Sequence, residues 1–314
     1  MKKVSILAAA VAVVFLATGF AGAPNAAAAL GTPAAGQAQA QRASAKAWNP
    51  PRTPDGQPDI QGTWGTGPDE VLYTGDVETG EGDETARRMQ GRVAPKGKGL
   101  VIDPPDGLIP YQPWAAAKRE QIPHGRAGEQ IGRKISKEAP SKLRHLRPQT
   151  LCVVGTPRMN FDRDFKIIQT PGQVLMLWEF THAFRVIPLD GHPHIAPNIK
   201  LSMGDSRGRW EGNTLVIETT NLNDWDWFDA SGTFRSNAVS SVERYTFADR
   251  DTLTYQVTIT DPNVFTRPWT VAFAINRRND GEIFESACHE GNYGVTGILG
   301  QDPRNFPLTK SHSQ

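Results

Sequence analysis

The feature that most constrains the fold of this chain is a series of short segments in its second half that alternate apolar and polar residues. Residues 252–260 alternate without error, and the apolar members are Leu253, Tyr255, Val257 and Ile259. Period-two alternation is typical of an antiparallel strand with one packed face and one solvated face. This half of the chain is therefore predicted to form antiparallel sheet.

Turn residues divide the same region into successive hairpins. Residues 170–173 read Thr-Pro-Gly-Gln, which places Pro and Gly at the two central positions of a type II turn. Three further hairpins are predicted around the turns at residues 211–213, 248–251 and 279–281. The last of them would pair residues 270–275 with residues 282–287.

About eight to ten strands in meander order would leave two long unpaired edges unless the sheet closes on itself. We therefore predict a mainly β fold, an antiparallel up-and-down barrel over residues 151–314, with an open sandwich as the alternative. Residues 48–150 are rich in Pro, Gly and charge and are predicted to wrap the barrel as loops and short helices, with one barrel strand near Ile60–Trp64. The short helices are expected at Glu84–Arg92 and Pro113–Gln121.

The N-terminus has the three parts of a secretory signal: Met1-Lys2-Lys3, an apolar stretch up to Phe20, and small residues after it. We predict a signal peptide over residues 1–29 and a disordered leader over residues 30–47, which is too poor in large apolar groups to form a core. The mature protein is then periplasmic or secreted. The alternative is a single membrane-spanning helix.

Cys152 and Cys288 are the only cysteines. In an exported chain, two cysteines are more often joined than free, so a disulfide is predicted. The alternative is a nucleophilic or metal-bound thiolate at Cys288, beside His289.

The formal net charge is +1, from 34 basic and 33 acidic residues. Such a chain has no long-range field that attracts nucleic acid or an anionic membrane, and neither is predicted as a partner. The expected partner is a small molecule, either a substrate or a ligand.

Three of the seven histidines, His182, His192 and His194, lie close together in the chain. Imidazole titrates near neutral pH, and proteins build proton-transfer or metal sites by placing it among carboxylates and guanidinium groups.

Glu179 and Arg185 flank His182 symmetrically. They are interpreted either as an ordinary cross-strand ion pair or as members of a catalytic group with His182.

His192 and His194 are two residues apart, which puts both imidazoles on one side of an extended chain. The pair is consistent with a turn, with an acid/base role, or with an open metal site completed by Asp205 or Glu179. No cofactor is predicted, and a metal at His192 and His194 is the alternative.

The run Gly204–Gly212 places charged side chains and a tryptophan between glycines. It is either a solvated hairpin loop or a network that orients a carboxylate and sets its pKa. In the second interpretation Asp205 is the general base or its orienting partner, and Arg207 binds substrate.

Two further groups of residues are candidates for the site. Trp225, Trp227 and Phe228 form either an aromatic surface for a planar ligand or a cap on the core. His289 and Tyr293 follow the last predicted hairpin and provide either a catalytic acid or simply the end of the sheet.

Several segments carry a resemblance to known proteins. The tripeptide Gly62-Thr63-Trp64 is similar to the Gly-x-Trp that opens lipocalin-like barrels. Taken together, the motifs PDIQGTW, DGHPH, GDSRGRWEG and CHEGNY resemble a large group of exported bacterial proteins of unassigned function. The resemblance covers nearly all of the mature chain and implies no particular activity.

The chain contains no dinucleotide-binding or phosphate-loop motif. We predict a cofactor-independent lyase or isomerase that uses acid/base catalysis on a small hydroxylated, aromatic compound such as a lignin fragment. In this scheme His182 or His194 is the base, oriented by Asp205 or Glu179; Arg185 or Arg207 stabilises oxyanion charge; and His289 or Tyr293 is the acid. The alternatives are a lipocalin-like binding protein for a small apolar ligand and a metal-assisted hydrolase of a glycan or ester.

Overall fold

The computed structural model describes residues 48–65, 77–78, 100–121, 146, 151–153, 155, 157, 164–225, 227–229, 232–279, 281–293 and 295. The predicted signal peptide, the leader and the helix at Glu84–Arg92 lie outside these residues. Within the described residues, no helix has both the length and the apolar character needed to cross a bilayer.

Short antiparallel strands are the main regular structure of the described chain, with one helix among these residues. In chain order the elements are β1 (Gly62–Gly65), β2 (Val101–Asp103), α1 (Pro113–Gln121), β3 (Phe165–Thr170), β4 (Gln173–Trp178), β5 (Phe184–Pro188), β6 (Asp205–Glu211), β7 (Thr214–Thr220), β8 (Ser240–Phe247), β9 (Thr252–Thr260) and β10 (Trp269–Arg277). Helix α1 and the type II turn are confirmed, and Gly172 has the positive φ of 80° that this turn requires.

The sheet order is β5-β4-β3-β1-β10-β9-β8-β7-β6, with β2 paired to β10 outside this path. Every neighbouring pair in the order is antiparallel. The predicted mainly β, antiparallel fold is confirmed as a nine-strand sheet that is nearly closed into a barrel.

The barrel has a seam between its two end strands, β5 and β6. Because every neighbouring pair along the order is antiparallel and the order holds nine strands, β5 and β6 run in the same direction. Parallel neighbours need a crossover of about a dozen residues or more instead of a tight turn. Residues 189–204 form this crossover loop and return the chain from the end of β5 to the start of β6.

Side chains close the seam, since the described strands have no backbone ladder between β5 and β6. Gly208 of β6 lies so near β5 that an added Cβ would be 2.7 Å from Ile187 and 2.6 Å from Leu189. The glycine within the charged run is therefore required by close strand packing.

Large side chains occupy the inside of the barrel. Strands β8 and β9 alternate buried and partly exposed residues, so every second side chain points inward. The Tyr255 ring lies 4.9 Å from the ring of Tyr245 and 4.9 Å from that of Phe273, measured between centroids. Trp64 and Phe165 are also fully buried.

The structure corrects two predictions about strands. Residues 282–287 do not form the last hairpin strand and contribute one isolated bridge, Ser286 to Phe180. The reason is that both edges of β10 are already paired, with β9 on one side and with β1 and β2 on the other. In addition, β2 was not predicted, because three residues are too few for an alternation pattern.

Candidate active site

The topology brings most of the predicted site segments to one end of the barrel. Strands β4 and β7 finish at this end, and β5 and β6 begin there. The turn at residues 179–183, the start of β6 and the segment after β7 therefore share it. We call this end the Asp205 end.

At the Asp205 end, an imidazole, a carboxylate and a guanidinium group lie in contact. The Nδ1 atom of His194 is 2.7 Å from Oδ2 of Asp205, and Nη1 of Arg207 is 3.0 Å from Oδ1 of the same carboxylate. The backbone N–H of Ile195 also donates to Oδ2 of Asp205, at 3.2 Å. Both carboxylate oxygens are thus held, and we call His194, Asp205 and Arg207 the Asp205 site.

The burial of this site increases from the imidazole to the carboxylate. The side chain of His194 is 25% exposed, whereas that of Asp205 is 11% exposed. Because a carboxylate only accepts hydrogen bonds, the neutral imidazole carries its proton on Nδ1, and Nε2 remains as the acceptor. The geometry therefore presents a tautomer that is able to take a proton from a molecule at the surface.

Arg207 holds the crossover loop against β6. Its Nε donates to the carbonyl of His192 at 3.1 Å, and its Nη2 donates to the carbonyl of Pro193 at 3.2 Å. Its Nη1 donates to the carbonyl of Ser206 at 2.9 Å. These bonds position the crossover loop, and the binding of substrate by Arg207 stays a prediction.

Asn221 fixes the part of the crossover loop that follows His194. It is buried, has a positive φ of 59°, and donates from Nδ2 to the carbonyls of Ala196 at 2.8 Å and Ile199 at 2.9 Å. Asparagine tolerates this backbone conformation better than most residues. The imidazole therefore projects from a loop that is tied to the barrel on both sides.

The sequence interpretation of residues 204–212 as a solvated loop is wrong. These residues lead into and form strand β6, so Asp205 and Arg207 project from one face and Ser206 from the other. Gly204 makes the entry, with a φ of 65° and with the carbonyl oxygen of Thr220 only 2.6 Å from the position of a Cβ.

The predicted cross-strand pair between Glu179 and Arg185 is not formed. In the register of β4 and β5, Arg185 lies opposite Met176. The turn is centred between Phe180 and Thr181, not on His182, and a shift of this kind turns a side chain to the other face of the sheet. Arg185 consequently points into the barrel, away from Glu179.

The buried Arg185 pairs with an acidic residue that we did not predict. Its Nη2 is 2.6 Å from Oε2 of Glu243, and both side chains are at most 3% exposed. Burial is the largest single effect and lowers the pKa of Arg185, but the charge and the hydrogen bond of Glu243, together with smaller contributions from Tyr245 and Tyr255, raise the pKa overall. A signal for Glu243 was present in the sequence, since it is an acidic residue at an inward position of an alternating strand.

His182 and Glu179 belong to a looser group at the same end of the barrel. The Nε2 atom of His182 is 3.7 Å from Oε1 of Glu285, and the two side chains are 50% and 78% exposed. Glu179 accepts a hydrogen bond from the backbone N–H of Phe284 at 3.2 Å. These contacts attach the C-terminal segment to the turn between β4 and β5.

His192 bonds to a different carboxylate from the one that His194 bonds. Its Nδ1 is 2.7 Å from Oδ2 of Asp190, and its side chain is 75% exposed. The hydrogen bond from His192 lowers the pKa of Asp190. The two imidazoles thus bond to different carboxylates, and the described residues contain no group of three His, Cys, Asp or Glu side chains arranged to hold a metal ion.

The predicted aromatic group is divided by the structure. Trp227 and Phe228 belong to the core, where the Phe228 ring lies 5.9 Å from the Trp269 ring. Trp225 is 69% exposed. Of the three, only Trp225 presents its ring to solvent.

The predicted disulfide between Cys152 and Cys288 is confirmed, with a Cα–Cα distance of 5.7 Å. It anchors the C-terminal segment that carries His289 and Tyr293, both of which are exposed. Within the described residues, His289 forms no hydrogen bond or ion pair with the Asp205 site.

Comparison with known proteins does not assign the chain, because no protein-family model and no curated protein matches it. The site is therefore interpreted from its own geometry. Its most organised part is the contact between His194 and Asp205.

Proposed function

We propose that the protein is an exported, cofactor-independent enzyme of the lyase or isomerase type, with His194 as its general base. The observation that carries the proposal is the 2.7 Å contact between Nδ1 of His194 and Asp205. Two further groups, the Ile195 N–H and Arg207, hold the same carboxylate. An imidazole oriented in this way is the usual form of a general base near neutral pH.

In this mechanism Asp205 holds the imidazole in the Nδ1–H tautomer, and Nε2 removes a proton from the substrate. Asp205 also stabilises the imidazolium that forms. The same nitrogen then returns the proton to the departing or rearranged group. A positioned base of this kind contributes about 10²–10⁴ to the rate.

We propose a small hydroxylated aromatic substrate of the lignin type. The support is Trp225, whose exposed indole lies on the segment after β7 at the Asp205 end. This segment is linked to the crossover loop, since Nδ2 of Asn223 is 3.1 Å from Oγ of Ser202. Indole faces stack on aromatic rings, and adjacent polar groups orient hydroxyls.

The alternative of a carrier with an apolar ligand in its lumen has less support. The inside of the barrel contains the Arg185–Glu243 pair and stacked aromatic rings. A carrier of apolar molecules is expected to have an apolar interior.

Single substitutions test the proposed base. His194→Ala is expected to lower turnover by roughly 10²–10⁴, with the thermal midpoint nearly unchanged. The matched control is His192→Ala, which removes an exposed imidazole from the same loop and is expected to keep full turnover. Substrates come from a panel of aromatic dimers and oligosaccharides, assayed with and without a chelator. Equal turnover by the two variants would reject His194 as the base, and loss of turnover with chelator would favour a metal-assisted hydrolase.

Export is tested separately by expressing the full-length chain. Cell fractionation is expected to recover it from the periplasm or the medium, with its new N-terminus near the end of residues 1–29. Recovery of the intact chain in the membrane fraction would favour the alternative of a membrane anchor.

A further inference from the structure

A polar network lies inside the barrel directly behind the Asp205 site. Nε of Arg185 donates to Oγ of Ser206 at 2.7 Å, and its Nη2 donates to the hydroxyl of Thr219. Glu243 pairs with Arg185 and accepts a hydrogen bond from the hydroxyl of Tyr255 at 3.0 Å. We call these five residues the seam network; all of them are buried.

The seam network connects strands that the backbone leaves unconnected. Arg185 is on β5 and Ser206 is on β6, the two strands with no ladder between them. Thr219, Glu243 and Tyr255 extend the connection over β7, β8 and β9. One guanidinium group therefore links β6, which is already paired to β7, to β5 across the seam from inside the barrel.

Ser206 is the point at which the seam network meets the candidate site. It stands between Asp205 and Arg207 on the same strand, and its side chain points inward while theirs point outward. Any movement of Ser206 therefore moves the backbone that carries both site residues.

Burial of Arg185 and Glu243 is more easily explained by positioning than by stability. Removing two charges from water is costly, and a well-packed apolar pair of similar volume is often at least as stable. A guanidinium with donors in fixed directions, by contrast, sets the relative positions of the groups that it binds.

We infer that the seam network is a positioning device for the Asp205 site: Arg185, acting through Ser206, holds β6 so that Asp205 meets Nδ1 of His194. The effect of the seam network on catalysis rests on the proposed function, whereas its effect on the contact between Asp205 and His194 does not. Arg185 and Ser206 are thus positioning residues, which replaces the direct role in catalysis expected for Arg185.

The test compares two buried serines on the inner face of the barrel. Ser206→Ala removes the link to Arg185. The control, Ser241→Ala, removes a hydroxyl of similar burial whose Oγ has no hydrogen bond within the described residues. Imidazole ¹⁵N NMR of the full mature chain, without substrate, reports the tautomer of His194, and His194→Ala assigns the signal.

Wild type and Ser241→Ala are expected to hold His194 in the Nδ1–H tautomer. Ser206→Ala is expected to shift it towards the Nε2–H tautomer and to broaden its signal. A lower thermal midpoint in Ser206→Ala with an unchanged tautomer would overturn the inference, because the network would then have only a structural role.

A second variant covers the case in which Ser206→Ala does not fold. Thr219→Val keeps the shape of the side chain, removes the other hydroxyl that receives Arg185, and is expected to shift the tautomer in the same direction. No shift in Thr219→Val would then overturn the inference. If the tautomer shifts but His194→Ala retains turnover, positioning stands and the proposed function fails.

Discussion

Two histidine–carboxylate pairs at the same end of the barrel differ in how much structure supports them. His194 is 25% exposed and lies 2.7 Å from a carboxylate that two other groups hold. His182 is 50% exposed and lies 3.7 Å from the more exposed Glu285. The same residue types thus form an organised site in one place and a surface contact in the other, and the difference is the support given to the carboxylate.

The largest expected effect is a loss of turnover that distinguishes the carboxylate of Asp205 from that of Glu285. Asp205→Asn keeps the shape of the side chain but is able to donate a hydrogen bond, which favours the wrong tautomer of His194. Turnover is expected to fall roughly 10²–10⁴-fold, whereas Glu285→Gln is expected to leave it within a few-fold. Steady-state assays on the substrate found in the panel measure both. Similar losses in the two variants would mean that the pairs are functionally equivalent.

The next largest expected effect is a loss of unfolding free energy at the seam between β5 and β6. Gly208→Val would place side-chain atoms against Ile187 and Leu189, where a Cβ alone already approaches to 2.7 and 2.6 Å. Overpacking of this kind costs about 1–3 kcal/mol of unfolding free energy. Arg209→Ala on the same strand removes two partly exposed ion pairs, with Glu211 and Glu218, and is expected to cost about 0–1 kcal/mol for each pair. Chemical denaturation compares the two, and equal costs would show that the seam has room for a larger residue.

A smaller effect on stability is expected at two residues with positive φ: Thr181, beside His182, and Asn221, which holds the loop of His194. Thr181, beside His182, has a φ of 62° without a glycine, a conformation that costs about 1–2 kcal/mol for a residue with a side chain. Thr181→Gly is therefore expected to stabilise the fold, by up to about 1 kcal/mol after the entropy of glycine is included. Glycine at position 221 would also tolerate the positive φ, but Asn221→Gly loses the amide that binds the crossover loop. It is therefore expected to destabilise the fold. Thermal unfolding measures the sign of each change.

The smallest expected effect is a pH dependence of stability that arises from an ion pair on the outer face of the barrel, outside both histidine pairs. Hydrogen bonding from Arg244 is the main cause that lowers the pKa of Glu211 below its ordinary value of 4.5. The lowered pKa adds stability above pH 4.5, and this stability is lost as the pH falls through the lowered value in the folded state. Glu211→Gln should flatten this part of the curve of thermal midpoint against pH. An unchanged curve would show that the exposed pair is screened by solvent.

The fold was largely predictable because its signals are local. Alternation in β9, the Pro-Gly turn before β4 and the first-turn proline of α1 each depend on a few neighbouring residues. The failure at residues 282–287 has a different origin. Those residues have the composition of a strand, but whether they pair depends on a free edge of β10, and a distant segment, β1, already occupies that edge.

The candidate site was predicted in part. His194, Asp205 and Arg207 were chosen from their types and proximity in the chain, and the structure brings them together. Arg185 was assigned to the wrong environment because its face depends on the position of one turn. Glu243 was missed because its partner is on another strand, distant in sequence.

The amino-acid sequence by itself determined that the second half of the chain forms antiparallel strands, where several of its tight turns fall, and that its two cysteines join, because these properties follow from local periodicity and composition. Only the tertiary structure decided that β5 and β6 meet as parallel neighbours with Arg185 buried between them. That outcome depends on the number of strands in the sheet and on the register of each pair. Both are set by packing over the whole barrel, which no short window of sequence contains.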